Sequence, residues 1–210
     1  MGYSQRGIQL KLGLFGGSFD PIHYGHLLLA ESARDQLNLD RVIFLPLGEP
    51  PHRKSIRSSN DDRFNAAVLA IQGYSEFEVS RYEIDKKGVS YSVDTLRYYR
   101  SLYPNDEIFW IVSSETFNDI PNWRSPEEIC RLASLIIARR AGYPEPNFDS
   151  FSSFCDSMII EMFKRQVIEF PFLEISSTLL RERVRKGRSI RFLTPDPVIE
   201  YINKHRMYVE

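Results

Sequence analysis

Apolar residues along the chain fall into short unbroken runs, and between the runs they recur every three or four positions. The first run, residues 8–15, ends in Gly16-Gly17-Ser18, a turn signal. After it, His26, Ala30, Ala33 and Leu37 are spaced by four, three and four, which predicts a helix with those residues on one face. Val42-Ile43-Phe44-Leu45, stopped by Pro46, predicts a buried strand. Strand, helix, strand over so short a stretch is the βαβ unit of a parallel sheet.

The alternation continues to the end of the chain. Residues 61–72 read as a helix with Phe64, Ala67, Val68 and Ile71 on its inner side. Residues 77–84 are short and mixed, a hairpin or an edge strand. Residues 92–102 form a helical pattern with Val93, Leu96 and Tyr99 in register, and 108–112 a strong strand. A short helix over 126–132 and a strand over 135–138 follow. The stretch 142–153, rich in Pro, Ser and Asn, reads as a surface loop, 167–170 as the last strand, and 176–186 and 197–204 as closing helices. With no repeat and no linker, residues 1–210 are expected to form one α/β domain, a Rossmann-like doubly wound parallel sheet with C-terminal helices.

Composition narrows the partners. At 42% hydrophobic and 26% charged over 210 residues, the chain can bury a core without disulfide or metal staples. A net charge of −1 offers no basic field for nucleic acid or an anionic membrane. Cys130 and Cys155 lie outside any Cys-x-x-Cys motif and read as free thiols of a reducing cytosol, with one disulfide as the alternative. The polar start, residues 1–7, lacks the apolar stretch of a signal peptide, and no run approaches the roughly 18 apolar residues of a membrane span. The expectation is a cytoplasmic protein with neither a membrane nor a nucleic-acid partner; self-association into a homo-oligomer is left open.

Two segments carry chemistry. Gly16-Gly17-Ser18-Phe19-Asp20-Pro21-Ile22-His23-Tyr24-Gly25-His26 follows a strand and opens a helix, the edge of an open α/β sheet where ligands bind. Glycines permit close backbone approach, and a helix start offers unsatisfied N–H groups to an anion. His23 and His26, three apart at that start, can address the same phosphate. The Walker and dinucleotide glycine patterns are absent, and the His-x-x-His pair has no third metal ligand nearby. The second segment is Ile175-Ser176-Ser177-Thr178-Leu179-Leu180-Arg181, in which Ser176 or Ser177 is a natural N-cap and Arg181 lies about a turn further on. Arg183, Arg185, Lys186, Arg188 and Arg191 after it read as a solvated basic face.

The first segment resembles the signature of HIGH-motif nucleotidyltransferases, here His23-Tyr24-Gly25-His26, and the second resembles the Ile-Ser-Ser-Thr-x-x-Arg motif of the same superfamily. The stretches Pro50-Pro51-His52-Arg53-Lys54, Gly88-Val89-Ser90-Tyr91-Ser92-Val93-Asp94-Thr95-Leu96 and Pro121-Asn122-Trp123, in that order, resemble the bacterial nicotinate mononucleotide adenylyltransferases, over about residues 12–208. The resemblance implies transfer of the adenylyl group of ATP to nicotinate mononucleotide, giving deamido-NAD and pyrophosphate, with Mg²⁺ accompanying ATP and no protein metal site. It implies that His23, His26 and Arg181 stabilise the reacting phosphates. Gly16, Gly17, Ser18, Phe19, Ser113, Glu115, Ile175, Ser176, Ser177 and Thr178 would complete the ATP site. Trp123 would stack on the pyridine ring, and Tyr91 and Ser92 would receive its carboxylate. His52, Lys54 and Arg139 would contact the mononucleotide phosphate, with the choice between Arg53 and Lys54 open. Two departures from the family pattern stand out: Ser92 replaces threonine, and Ser113-Ser114-Glu115 replaces Gly-x-Asp, whose aspartate reaches nucleotide ribose. The alternatives are a phosphopantetheine adenylyltransferase or cytidylyltransferase, which share the first motif, and a non-catalytic nucleotide-binding regulator.

Overall fold

Residues 12–15, 42–45, 108–112 and 135–138 are buried without interruption, as strands covered on both faces must be. In the computed structural model, which describes residues 9–50, 56–139, 142, 144–171 and 173–209, these runs are the centre of a parallel sheet. The strands are β1 (Lys11–Gly17), β2 (Arg41–Pro46), β3 (Phe77–Val79), β4 (Glu107–Ser113), β5 (Ser134–Arg139) and β6 (Val167–Glu169). Their order is β3-β2-β1-β4-β5-β6, and every adjacent pair is parallel. This is the expected Rossmann-like arrangement, and the strand order reverses between β1 and β4, which is where a doubly wound sheet opens a crevice.

Alternate strand residues feed two cores. Phe15, Val42, Phe44 and Ile111 face α1 (Tyr24–Leu37) and α2 (Asn60–Ala70), together with Leu180, Val198 and Ile202. Leu14, Ile43, Leu45, Trp110 and Val112 face the other side, against residues of α4 (Ser92–Leu102), α5 (Ser114–Asp119), α6 (Pro126–Leu132) and α7 (Ser157–Lys164). A four-residue helix, α3 (Tyr82–Asp85), precedes α4; α8 (Ser177–Arg185) and α9 (Asp196–Lys204) close the chain. Cys130 and Cys155 are free thiols, and burial pushes the Cys130 thiol far above its ordinary pKa. Among the described residues no helix is long and apolar enough to cross a membrane.

Two sequence expectations are corrected, and an open choice is resolved. The inner face of α2 carries Arg63, Ala66, Ala67 and Ala70, while Val68 is 41% exposed. The helix is rotated from the apolar stripe because the Arg63 guanidinium turns inward to bind carbonyls. The stretch 142–153 is more than a surface loop: residues 148–151 form a 3-10 turn, and the fully buried Phe151 ring stacks on Phe117 at 4.3 Å. α7 adds buried Phe163 to the same core. Residues 77–84 resolve into edge strand β3 followed by α3 rather than a hairpin.

Candidate functional site

The crevice is built from the loop between β1 and α1. Gly17 ends β1, and the chain turns through Phe19, whose φ of +46° lies in the left-handed region. Packing also constrains the glycines of this loop. A Cβ on Gly17 would lie 2.8 Å from the Phe19 ring, and one on Gly16 would lie 3.2 Å from Trp110. Phe19 itself is fully buried, edge-on to Phe15 and Phe44 and T-shaped against His26 at 5.0 Å. Its side chain is therefore a support under the site, and only its backbone is available to a nucleotide.

His23 occupies the N-cap position of α1 in extended backbone and is 5% exposed. Its ring stacks on that of His26 with centroids 3.7 Å apart. The His23 backbone N–H donates to His26 Nδ1 at 3.2 Å. With Nδ1 as acceptor, the neutral His26 ring carries its proton on Nε2, a donor aimed away from the cap. Glycine at position 25 relieves crowding on this stack: a Cβ there would meet the His23 ring at 3.0 Å.

The C-terminal part of the chain closes over the same loop. Three consecutive carbonyls accept from it: Asp20 O from Arg181 Nη1 at 2.7 Å, Pro21 O from Ser177 Oγ at 2.9 Å, and Ile22 O from Thr194 Oγ1 at 2.8 Å. Of the two serines, Ser176 is the N-cap of α8, accepting from Leu179 N at 3.1 Å, and Ser177 is the tie to the loop. Thr178 Oγ1 accepts from Arg181 Nη2 at 3.1 Å, and Ile175 packs half-buried against the core. His23, His26, the start of α8 and Arg181 are thus assembled into one region, between elements about 150 residues apart in the chain (Ser177 to Pro21 is 156).

Around it stand the remaining predicted residues. Ser113 caps α5, accepting from Thr116 N at 3.2 Å, and Glu115 lies in the first turn with Oε2 buried and without a partner among the described residues. The Ser114 Oγ beside it is likewise buried and unpartnered. Tyr91 is the N-cap residue of α4 and Ser92 its first residue. Trp123 ends a 3-10 turn, half-buried against the second core, and the neighbouring Arg124 guanidinium stacks over the Tyr91 ring at 4.8 Å. Arg139, at the carboxyl end of β5, pairs with Glu145 at 3.4 Å and with Glu169. His52, Arg53 and Lys54 lie outside the described residues.

Sequence reasoning missed the braces beneath these loops. Arg63 is fully buried and donates to Ser18 O at 2.9 Å, Leu47 O at 2.6 Å and Asn60 Oδ1 at 2.6 Å, joining the loops after β1 and β2. Glu83, also buried, accepts from Thr95 Oγ1 at 2.7 Å and from the Gly48 backbone, tying the loop after β2 to α4; burial raises its pKa, opposed by those two bonds. Glycine is required at position 48 because a Cβ would collide with the Glu83 carbonyl. Asp20, inside the first motif, is 1% exposed and bonds three other segments, at Arg57 and Ser58, at Arg181 and at Tyr208. A charged residue inside an otherwise apolar helical stripe was the signal that could have found Arg63.

Comparison with known proteins agrees with this geometry. The cytidylyltransferase-like family matches residues 14–183. A curated relative from Desulfitobacterium hafniense, named "Probable nicotinate-nucleotide adenylyltransferase", is 40% identical over 208 residues, covering 94% of this chain and 95% of the relative. One of the same name from Thermus thermophilus is 39% identical, covering 95% of this chain and 100% of the relative. Among solved structures, Plasmodium falciparum nicotinic acid mononucleotide adenylyltransferase complexed with NaAD superposes with a TM-score of 0.74 at 21% identity, over 96% of this chain and 98% of that one.

Proposed function

We propose a division of labour within a chain that belongs to the nicotinate-nucleotide adenylyltransferases of the cytidylyltransferase-like family. The chain transfers the adenylyl group of ATP to nicotinate mononucleotide, forming deamido-NAD and pyrophosphate, a step in NAD biosynthesis. The loop 16–26 and the start of α8 hold ATP; the starts of α4 and the Trp123 segment hold the mononucleotide. The observation that carries this assignment is the set of three consecutive carbonyls, Asp20, Pro21 and Ile22, tied down by Arg181, Ser177 and Thr194. With its carbonyls held on the C-terminal side, the loop presents His26 and the α1 start, together with Arg181, to a single anion at the sheet's switch point.

The mononucleotide phosphate is a dianion near neutral pH and attacks the α-phosphorus without a general base. The residues must hold it in line and stabilise the charge passing to pyrophosphate. His26 donates through Nε2, and Arg181 and the free N–H groups at the α8 start receive the outer phosphates. The groups converging here are hydrogen-bond donors and cations, which suit phosphate oxygens rather than a metal cage. Mg²⁺ is accordingly proposed to arrive coordinated by ATP, as part of the substrate. Purified protein given Mg-ATP and nicotinate mononucleotide should release pyrophosphate in step with deamido-NAD; no release in the complete mixture overturns the assignment.

For the base, Trp123 offers a face for stacking, and the start of α4, with Arg124 over Tyr91, offers N–H groups and positive charge to a carboxylate. Nicotinate mononucleotide is expected to be used with a higher kcat/KM than nicotinamide mononucleotide, since an amide matches carboxylate-oriented donors poorly. Trp123→Ala should raise KM for the mononucleotide and leave KM for ATP unchanged. Equal kcat/KM for acid and amide rules out this pocket.

Glu115 is proposed to take over the ribose contact of the family aspartate. Its unpartnered Oε2 supports that role, because a buried acceptor gains most from a hydroxyl donor that a ligand brings. Glu115→Asp should reduce kcat/KM by about tenfold, on the scale of one methylene in a fitted pocket. Ser113→Gly sacrifices the α5 cap oxygen, which a glycine cap replaces at only a few tenths of a kcal/mol. In the Glu115→Asp background it should recover part of the loss by letting the loop move closer. A double-mutant cycle measures this, and strict additivity would refute it.

A further inference from the structure

Asp20 lies in the phosphate loop, and its carboxylate is almost fully enclosed. A buried carboxylate must be satisfied by donors, and this one is satisfied mostly by neutral groups. Oδ2 accepts from the Arg57 backbone N–H at 2.7 Å. Oδ1 accepts from the Tyr208 hydroxyl at 2.8 Å and from Ser58 Oγ, which also lies 2.6 Å from the Tyr208 oxygen. Arg181, the nearby cation, stays 3.8 Å from Oδ2 and makes its short bond, 2.7 Å, to the Asp20 backbone carbonyl instead. Burial, and after it the Asp20 carboxylate, hold the Tyr208 phenol protonated far above its ordinary range, so it is a permanent donor. Tyr208 reaches this position from near the end of the chain, 188 residues from Asp20.

We propose that Asp20 and Tyr208 are positioning residues for Arg181: the Tyr208 hydroxyl, bound to Oδ1, fixes the carboxylate so that Oδ2 stays on the Arg57 N–H and 3.8 Å from the guanidinium instead of closing into a direct ion pair. A guanidinium brings a full opposite charge that a hydroxyl lacks, so a carboxylate released from its neutral donor would capture the adjacent arginine. Arg181 would then turn inward, away from the phosphates. Its side chain is 19% exposed and borders a cleft of about 770 Å³ that Arg57, Ser58, Thr178 and Tyr208 also line. The C-terminal segment thereby sets the strength of the triphosphate clamp. The inference rests on the phosphate-binding role of Arg181 proposed above.

The test is a double-mutant cycle on the full chain, with initial rates measured against ATP and against nicotinate mononucleotide. Tyr208→Phe should lower kcat/KM for ATP by about tenfold, the effect of one charge-assisted bond, while KM for the mononucleotide stays within about twofold and the circular dichroism spectrum is unchanged. Ser58→Ala, which removes the second neutral donor, should give the same split at smaller amplitude. In an Arg181→Ala background neither substitution should reduce the rate further. Equal losses in the presence and absence of Arg181 overturn the coupling while leaving the role of Arg181 intact. A silent Arg181→Ala overturns both the coupling and the phosphate assignment, so the two failures are distinguishable.

Discussion

Replacing His26 by alanine is expected to lower kcat by about 10² or more, the usual scale for losing one preorganised donor to developing charge. The expectation follows from how the ring is fixed. Phe19 supports its edge from below, His23 stacks on its face, and the His23 backbone N–H occupies Nδ1. A ring held at these three points donates through Nε2 in one direction, so nothing needs to reorganise as charge moves to pyrophosphate. Alanine removes the donor and also the acceptor of the cap N–H, so a second variant separates the two losses. His26→Asn keeps an oxygen near the Nδ1 position and can still accept from His23, but it cannot reach as far as Nε2. Both variants should lose turnover alike, with His26→Asn retaining the parental melting temperature. Turnover within threefold of the parent in either folded variant would remove His26 from the reaction.

How much of this was legible beforehand depended on the range of the interactions involved. The parallel strands were readable because burial on both faces turns each into an unbroken apolar run, as 108–112 and 135–138 show. Helices α4 and α6 begin and end where their periodicity and Pro126 place them. α2 was misread because its inner stripe holds an arginine, and a pattern scored on hydrophobicity counts that position as solvent-facing. The stretch 142–153 was misread for the opposite reason: Phe148 and Phe151 stand among Pro, Ser and Asn, and the composition concealed two aromatic anchors. α7 had a legible start, an Asp156 cap accepting from Met158 N at 2.8 Å, followed by Ile160 and Phe163.

For the site, the residues proposed to face a ligand sit in local motifs, which are legible in sequence. The groups that hold those motifs in place do not. Asp20 and Tyr208, Arg63 and Ser18, and Glu83 and Gly48 meet only through the folded chain, and spacing in the sequence does not encode them. Arg139, which the resemblance assigns to the mononucleotide phosphate, ends β5 with its guanidinium paired to Glu145 and Glu169, partners that no local motif announces.

The other large effect belongs to Arg63. Its guanidinium is closed off from solvent and bonded to Ser18 O, Leu47 O and Asn60 Oδ1. Burial lowers its pKa, and the charges of Asp20, Tyr208 and Glu83 raise it in part. An arginine tolerates such a place because its charge survives desolvation and its planar fork reaches several acceptors at once. Arg63→Ala strands those acceptors, at about 1–3 kcal/mol for each one left unsatisfied, and opens a cavity beside α2. Releasing the desolvated charge offsets part of this, which leaves a net loss of about 3–5 kcal/mol, the range seen when a buried charged group is cut from its partners. For a chain of this length that corresponds to a fall in Tm of roughly 6–20 °C. Arg63→Lys should fall between the two, because an ammonium carries the charge but cannot span the carbonyls of both loops. The stability loss should also reach the reaction. At a temperature where the variant is folded, Arg63→Ala should still show a reduced kcat, since the Ser18 carbonyl that it loses fixes the turn leading into Phe19 and the two histidines. Thermal melts followed by circular dichroism, with turnover measured well below the transition, check both parts. A shift in Tm below about 3 °C would mean that water replaces the guanidinium at all three acceptors, and the loops after β1 and β2 would then need another explanation for their fixed separation.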